Sequence, residues 1–270
     1  MRCSRPNGRP LLATKGGCSH SSLPGSLDVT LAMRRLLLGV LLVPLFVRPV
    51  VDPYKGAPEP VPPAGFLRAD YERTIPTTAA STLLVPVDPG GEAFRLSDAE
   101  HGVRFDANGD GVSEMVSWPE PDANVAFLAR DTNGDGRITS GKELLGSATY
   151  ADVHNGCNAL MTMFKRSGAE LAGSVHDGQE LYDQLVLWSD RNRNGRTDRG
   201  ELTPVRELFT AIGMGFEQVR WSDSHGNVVR FRGWMEARTA GPGQTWAIDQ
   251  QDEIARRRRY FEVALLTRLP

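Results

Sequence analysis

VRFDANGDGVSEMVSWPEPDANVAFLARDTNGDGRITSGKELLG, residues 103–146, holds two copies of one local device. Each has a D-x-N-x-D-G core, one opening at Asp106 and the other at Asp131. A third copy, DRNRNGRTDRGE, opens at Asp190 and ends at Glu201. Side-chain oxygens at every second residue, followed by a turn glycine, suit a hard cation. Calcium takes roughly six to eight oxygens, supplied in a twelve-residue loop by three alternate side chains, one backbone carbonyl, a later side chain or water, and a closing bidentate acid.

The Asp190 loop fits that layout in full. Asp190, Asn192 and Asn194 take the alternate positions, Gly195 the turn, Arg196 the carbonyl, Asp198 the later position and Glu201 the closing one. In the Asp131 loop Asp131, Asn133 and Asp135 match, Gly136 makes the turn, Arg137 offers its carbonyl and Thr139 follows. Its acid comes one residue late, at Glu143, because Lys142 holds the closing position. The Asp106 loop carries Asp106, Asn108, Asp110, Gly111, the Val112 carbonyl and Glu114, and then Ser117 stands where the closing acid belongs. It reads as a shorter loop borne on a hairpin, with Asp122 as a candidate last ligand from the next turn. Asn-Gly and Asp-Gly are also common turn dipeptides, and one such loop alone is as well explained as a turn. Three copies of the longer pattern are harder to explain so, because clustered acids repel one another unless a cation compensates them.

Local charge ranks the loops. The Asp190 loop contains Arg191, Arg193, Arg196 and Arg199, so it is expected to bind weakest. The Asp131 loop has Arg137 and Lys142, and no basic residue lies between Asp106 and Glu114.

Around the loops the pattern reads as α+β, with EF-hand-like calcium loops on short helices and hairpins, flanked by antiparallel strands. TLLVPV, HGVRF, EMVSW and VAFLAR have strand character, as do GFEQVRW, NVVRFRGW and RYFEVALL near the end. Helices are expected from Leu144 onward, from Asn158 (NALMTMFKR), from Gly178 (GQELYDQLVLW) and from Pro204 (PVRELFTAI).

Residues 1–50 read as a leader with a signal or anchor, 51–80 as a Pro-rich linker and 81–270 as the calcium-binding domain. Met33 opens MRRLLLGVLLVPLFVRPVV, a basic pair followed by a short apolar run, which marks a start at residue 33 and export to the periplasm, the cell surface or the medium. The run is broken by Pro44 and no small-residue cleavage site stands out, so cleaved signal and uncleaved membrane anchor both stay open. A formal net charge of -2 over 270 residues points to neither a nucleic-acid partner nor an acidic tail. Three cysteines make no disulfide framework. His154 and Cys157 lack the companions that a zinc site or a thiol nucleophile needs. Arg256 to Arg259 reads as a solvated strand edge.

The same residues resemble a recurring module of secreted bacterial EF-hand-like calcium-binding proteins, also found in RTX/hemolysin-type adhesins. The resemblance lies in the D-x-N-x-D-G hairpin ending in Trp118, the core from Asp131 ending in Glu143-Leu144-Leu145-Gly146, NGCNAL from Asn155, and LVLWSDRNRNGRTDRGEL up to Leu202. In that module a late acid such as Glu143 is normal. FKRSGAELAGSVHDGQE, residues 164–180, stands where the module usually has a further loop, and most of its acids are gone. The resemblance implies Ca2+ as the bound ion and export, and no agreed activity. The expected role is an exported structural or interaction module stabilised by calcium, with an unnamed protein or cell-surface partner. The rival is an exported hydrolase or polysaccharide-active enzyme with purely structural calcium, although no catalytic motif is evident.

Overall fold

Four apolar side chains, Phe261, Leu84, Phe127 and Trp188, stand side by side across the middle of the molecule. They come from four neighbouring strands, and the row explains the fold. In this computed structural model residues 60–68, 80–87, 94–168, 173–238 and 257–268 are described. Strand β2 (Ala80–Pro86) is buried at every position. A central strand covered on both faces needs a continuous apolar run, which STLLVP supplies. It pairs on one side with β12 (Arg257–Leu265) and on the other with β5 (Val125–Arg130), which in turn pairs with β7 (Leu185–Trp188) and then β8 (Leu202–Pro204). Beyond β12 follow β11 (Val228–Ala237), β10 (Glu217–Asp223) and β1 (Phe66–Arg68). A side branch, β9 (Phe209–Gly213) with β6 (Ser174–His176), attaches to β11. Every one of these ladders is antiparallel.

Alternation along the strands divides two cores. Leu84, Phe127, Trp188 and Phe261 face the first core, which is closed by a small sheet of β3 (Val103–Phe105), β4 (Glu114–Val116) and β13 (Thr267–Arg268). Leu83, Val85, Ala126, Leu128 and Leu187 face the second. That side is covered by α1 (Gly156–Arg166), which buries Cys157, Leu160, Met163 and Phe164. Asn155 caps α1 by accepting a 2.8 Å bond from the Asn158 N–H, a contact worth about 1 kcal/mol. Beneath the small sheet Phe105, Trp118, Phe127 and Trp188 pack ring against ring at 4.5–5.7 Å between centroids.

The α+β expectation, with EF-hand-like loops on short helices and hairpins, is overturned by a β-rich fold. Among the described residues there are thirteen strands and two α-helices, and α2 (Val205–Leu208) has only four residues. The helix expected from Asn158 is α1. That expected from Gly178 is a turn and one 3-10 turn leading into β7, because Leu185, Leu187 and Trp188 find a partner strand in β5. The apolar spacing of Leu181, Leu185 and Trp188 is compatible with a helix too, and tertiary pairing decides between them. Pro204 does start a helix, but Phe209 to Ile212 leave it to pair with β11 and β6. The residues after Glu143 turn back along β5 instead of forming a helix.

The basic run pairs with β11 on one side, short of the β2 ladder that begins at Phe261, but it is not solvated. Arg257, Arg258 and Arg259 lie half-buried inside β12, opposite Glu236, Met235 and Trp234, and the Arg257 guanidinium sits 4.5 Å from the Trp234 ring. Phe66 and Leu67, in the expected linker, form part of β1, and Phe66 is buried. Residues 54–270 form one compact unit. The leader, the start at Met33 and the apolar run after it lie outside the described residues. Among the described residues no helix is long and apolar enough to cross a membrane.

Candidate metal centre

All three loops are hairpin tips. The Asp106 loop joins β3 to β4, and the Asp190 loop joins β7 to β8. The Asp131 loop leaves β5 and returns along it, with the Arg130 N–H donating to the Glu143 carbonyl and the Leu145 N–H to the Leu128 carbonyl. This gives the acids a common logic that spacing conceals. Each first aspartate directly follows its outgoing arm or lies one residue beyond it, and each last glutamate opens the return arm. Glu114 pairs with Phe105, Glu143 with Arg130, and the Glu201 carbonyl accepts from the Ser189 N–H. Glu114, Glu143 and Glu201 are only 4%, 4% and 5% exposed. Glu114, read from spacing as a middle ligand, therefore stands in the same structural place as the two closing acids. Asp122 does not close that loop, because it forms an ion pair with Arg95.

Within each tip the aspartates organise the turn. Asp106 accepts from the Asp110 and Gly111 N–H groups at 3.0 Å each, Asp131 from Gly134 and Gly136 at 2.7 and 2.8 Å, and Asp190 from Asn194 and Gly195 at 3.1 and 2.8 Å. The third-position asparagines accept from the next loop residue but one: Asn108 from Asp110, Asn133 from Asp135 and Asn192 from Asn194. Asp110, Asp135 and Asn194 accept from Val112, Arg137 and Arg196 at 2.8 Å. Asp198 accepts from the amides of Asn192 and Asn194 at 2.7 and 2.8 Å.

The closing acids differ in how far the protein satisfies them. Both oxygens of Glu201 are engaged, one by the Arg191 N–H at 3.1 Å and one by the Asp198 N–H at 2.9 Å. In Glu143 one oxygen accepts from the Thr139 N–H at 2.8 Å and the Thr139 hydroxyl at 2.9 Å. Its other oxygen, Oε1, is buried without a hydrogen-bond partner among the described residues. Leaving such an oxygen unmet costs about 1–3 kcal/mol, more when it is charged. Burial pushes the Glu114 carboxyl above its ordinary range, and the charges of Asp106 and Asp110 push it the same way. Burial raises Asp190 too, against the pull of the Gly195 and Asn194 N–H groups and with a further push from Glu201. Among the described residues no three His, Cys, Asp or Glu groups cluster closely enough to hold a metal by themselves. A cation in these tips would take the rest of its shell from Asn133, Asn192 or Asn108 oxygens, from the carbonyls of Arg137, Arg196 or Val112, and from water. That donor set, oxygen throughout and mixed between carboxylate, amide and carbonyl, fits calcium.

The tips also touch each other. Ile138 in the Asp131 loop donates its N–H to the Thr197 hydroxyl of the Asp190 loop at 2.8 Å. The Gly141 N–H donates to the Asp106 carbonyl at 2.7 Å, and a Cβ at Gly141 would lie 1.9 Å from the Ala107 carbonyl oxygen. A Cβ at Gly195 would lie 2.4 Å from the Arg104 carbonyl oxygen. None of these contacts is evident from loop spacing.

Charge is arranged differently from its order in the chain. Arg193, at a φ of 56°, turns away from its own loop. Its guanidinium donates to Glu120 at 3.1 Å and to the His101 carbonyl at 2.8 Å. Conversely, the Lys142 stem packs over Gly109, so the Asp106 loop receives a basic residue that its own sequence lacks. Cys157 is 1% exposed and burial pushes its thiol well up, so it is a core residue and not a thiolate.

The model of the SPM domain matches residues 85–248, a range that contains all three tips. The chain is also similar to the iron-regulated protein FrpA of Neisseria meningitidis serogroup C, with 25% identity over 173 residues. The aligned part is 62% of this chain and 15% of that protein, so the chain spans less than a sixth of its relative's length. With more than half of its 270 residues matched, the chain belongs to the SPM domain family.

Proposed function

We propose that the protein is an exported calcium-binding module in which Ca2+, held by the hairpin tips, stabilises a β-rich structural or interaction domain. The carrying observation is Glu143 Oε1, a buried and unpartnered carboxylate oxygen at the closing position of the Asp131 loop. A turn gains nothing from an orphaned buried oxygen, whereas a bound cation satisfies it. The Asp131 loop is accordingly assigned as the principal site, with Asp131, Asn133, Asp135, the Arg137 carbonyl and Glu143 as ligands and Thr139 steadying the acid. In the Asp190 loop the protein's own N–H groups already occupy both Glu201 oxygens, which favours weaker binding there. The export half of the proposal rests on the basic pair and apolar run after Met33.

Calorimetric titration of the metal-free protein with calcium, paired with thermal melts, tests the reading. The expected result is saturable binding and a higher Tm with calcium, and a much smaller rise with magnesium, whose strict octahedral demand these tips meet poorly. Melts that coincide in metal-free buffer and in millimolar calcium would overturn it. A cleft of about 510 Å³ between the tips carries a single carboxylate, Asp106, so the rival enzymatic reading gains no paired acids there.

A further inference from the structure

The carbonyl-donating position of a calcium loop aims its backbone inward and sends its side chain elsewhere. In the Asp131 and Asp190 loops that position is Arg137 and Arg196, one residue after the turn glycine. The Ile138–Thr197 bond sets these two tips against each other, so the two arginines flank the same junction. Arg104, from β3, lies beside them because Gly195 packs on its carbonyl. All three line one cleft of about 510 Å³, together with Ser113, Thr139 and Thr197. None of the three guanidiniums makes an ion pair among the described residues, although all are exposed. Asp106, the one carboxylate in the lining, is committed to the Asp110 and Gly111 N–H groups of its own turn.

Three exposed arginines scattered on a surface need no partner. Here they come from three separate hairpins, held together by the Ile138–Thr197 bond and by Gly195 packed on the Arg104 carbonyl, and line one concave site together with Ser113. We propose that this cleft binds a tetrahedral oxyanion, a sulfate or phosphate group, and that cations in the flanking tips raise its affinity. Guanidinium forks match such groups in geometry and charge, and the Ser113 hydroxyl supplies a further donor, those of Thr139 and Thr197 being engaged by Glu143 and the Ile138 carbonyl. The cleft falls in the size range of small-molecule sites, so it has room for the carrier of an ester as well as its anionic head. The coupling is Coulombic. Without cations the carboxylates of the tips oppose an incoming anion, and with cations bound the same tips attract it. The coupling rests on the calcium reading, while the arginine cleft stands on its own geometry.

The test is calorimetric titration of the full chain with sodium sulfate, at ionic strength held constant with chloride, in calcium-saturated and in metal-stripped buffer. Glucose 6-sulfate forms a parallel arm. Calcium binding is measured first on the same samples. The expected result is saturable sulfate binding with calcium, at least tenfold weaker without it. Arg104→Met, Arg137→Met and Arg196→Met should each weaken it by about tenfold, whereas Arg206→Met, on α2 and outside the cleft, should leave it unchanged. Tighter binding of the ester assigns the cleft to esters, and equal binding assigns it to the free dianion; either upholds an oxyanion site. Normal calcium binding with no sulfate binding, or with sulfate binding unmoved by the three cleft variants, sinks this inference alone. Absence of calcium binding instead removes the functional reading and the coupling with it. Thermal melts of each variant establish that it is folded before its affinity is read.

Discussion

At Glu143 one carboxylate oxygen is held by Thr139 and the other by nothing among the described residues. Glu143→Gln should therefore weaken calcium binding by about tenfold to a hundredfold and abolish most of the calcium-induced rise in Tm. The metal-free Tm should hold or rise, because the substitution removes a buried charge that the apoprotein does not satisfy. Calorimetry and melts on the same variant separate the two effects. The raised carboxyls of Glu114 and Asp190 give a pH signature of opposite sign to ordinary acid denaturation. A carboxyl whose folded pKa exceeds its unfolded value binds more protons in the native state, so stability falls as pH rises through that window. The metal-free protein should gain stability as pH drops from neutrality toward the ordinary carboxylate range, as far as these two groups govern it. Calcium-loaded protein should show the reverse, since protons then compete with the ion. Urea titrations at several pH values, with and without calcium, read both slopes.

At the scale of elements, the contacts between tips matter more than any tip alone. Thr197→Val keeps the shape of the side chain and removes the acceptor of the Ile138 N–H. It should cost about 1–3 kcal/mol and lower calcium affinity at the Asp131 loop as well as at its own. Unchanged affinity at the Asp131 loop would show that the two tips act independently. Gly141→Ala tests the other junction. Its φ is unremarkable, but its Cβ would collide with the Ala107 carbonyl, whose backbone has no flexible end to give way. The expected loss is about 1–3 kcal/mol, or several degrees in Tm. Gly136→Ala, with open space around it and a φ of 74°, should cost only the backbone penalty of roughly 1 kcal/mol. The comparison separates steric docking of one hairpin on another from the turn's own conformational demand.

Across the whole molecule, the large sheet holds Glu262 of β12 fully buried against Arg230 of β11. Glu262→Ala should cost about 3–5 kcal/mol by taking the carboxylate from the mostly buried Arg230 guanidinium, and a double replacement of both residues by Met should recover most of it. Denaturant melts settle the order. The same sheet explains which expectations failed. TLLVPV, VAFLAR, NVVRFRGW and RYFEVALL carry enough β-branched and aromatic residues to announce strands locally, and NALMTMFKR with its Asn155 cap announces α1. GQELYDQLVLW and PVRELFTAI carry apolar residues at spacings that serve a helix or a strand. Their fate was settled by partners more than fifty residues away for β7 and more than twenty for β9.

The loops followed the same division. Their turn chemistry was legible from the chain, because alternating Asp, Asn and Gly is a local code written within a dozen residues. The equivalence of the closing acids was half legible: Glu114, Glu143 and Glu201 each precede an apolar residue that starts a return arm, in EMV, ELL and ELT. What the chain order could not convey was convergence. Lys142 lying on a loop other than its own, Arg193 leaving its loop for Glu120, and Arg104, Arg137 and Arg196 opening into one cleft all depend on hairpins docking on one another. Charge acts through space, so its ranking belongs to the tertiary structure, while turn chemistry acts through a few bonds and belongs to the sequence.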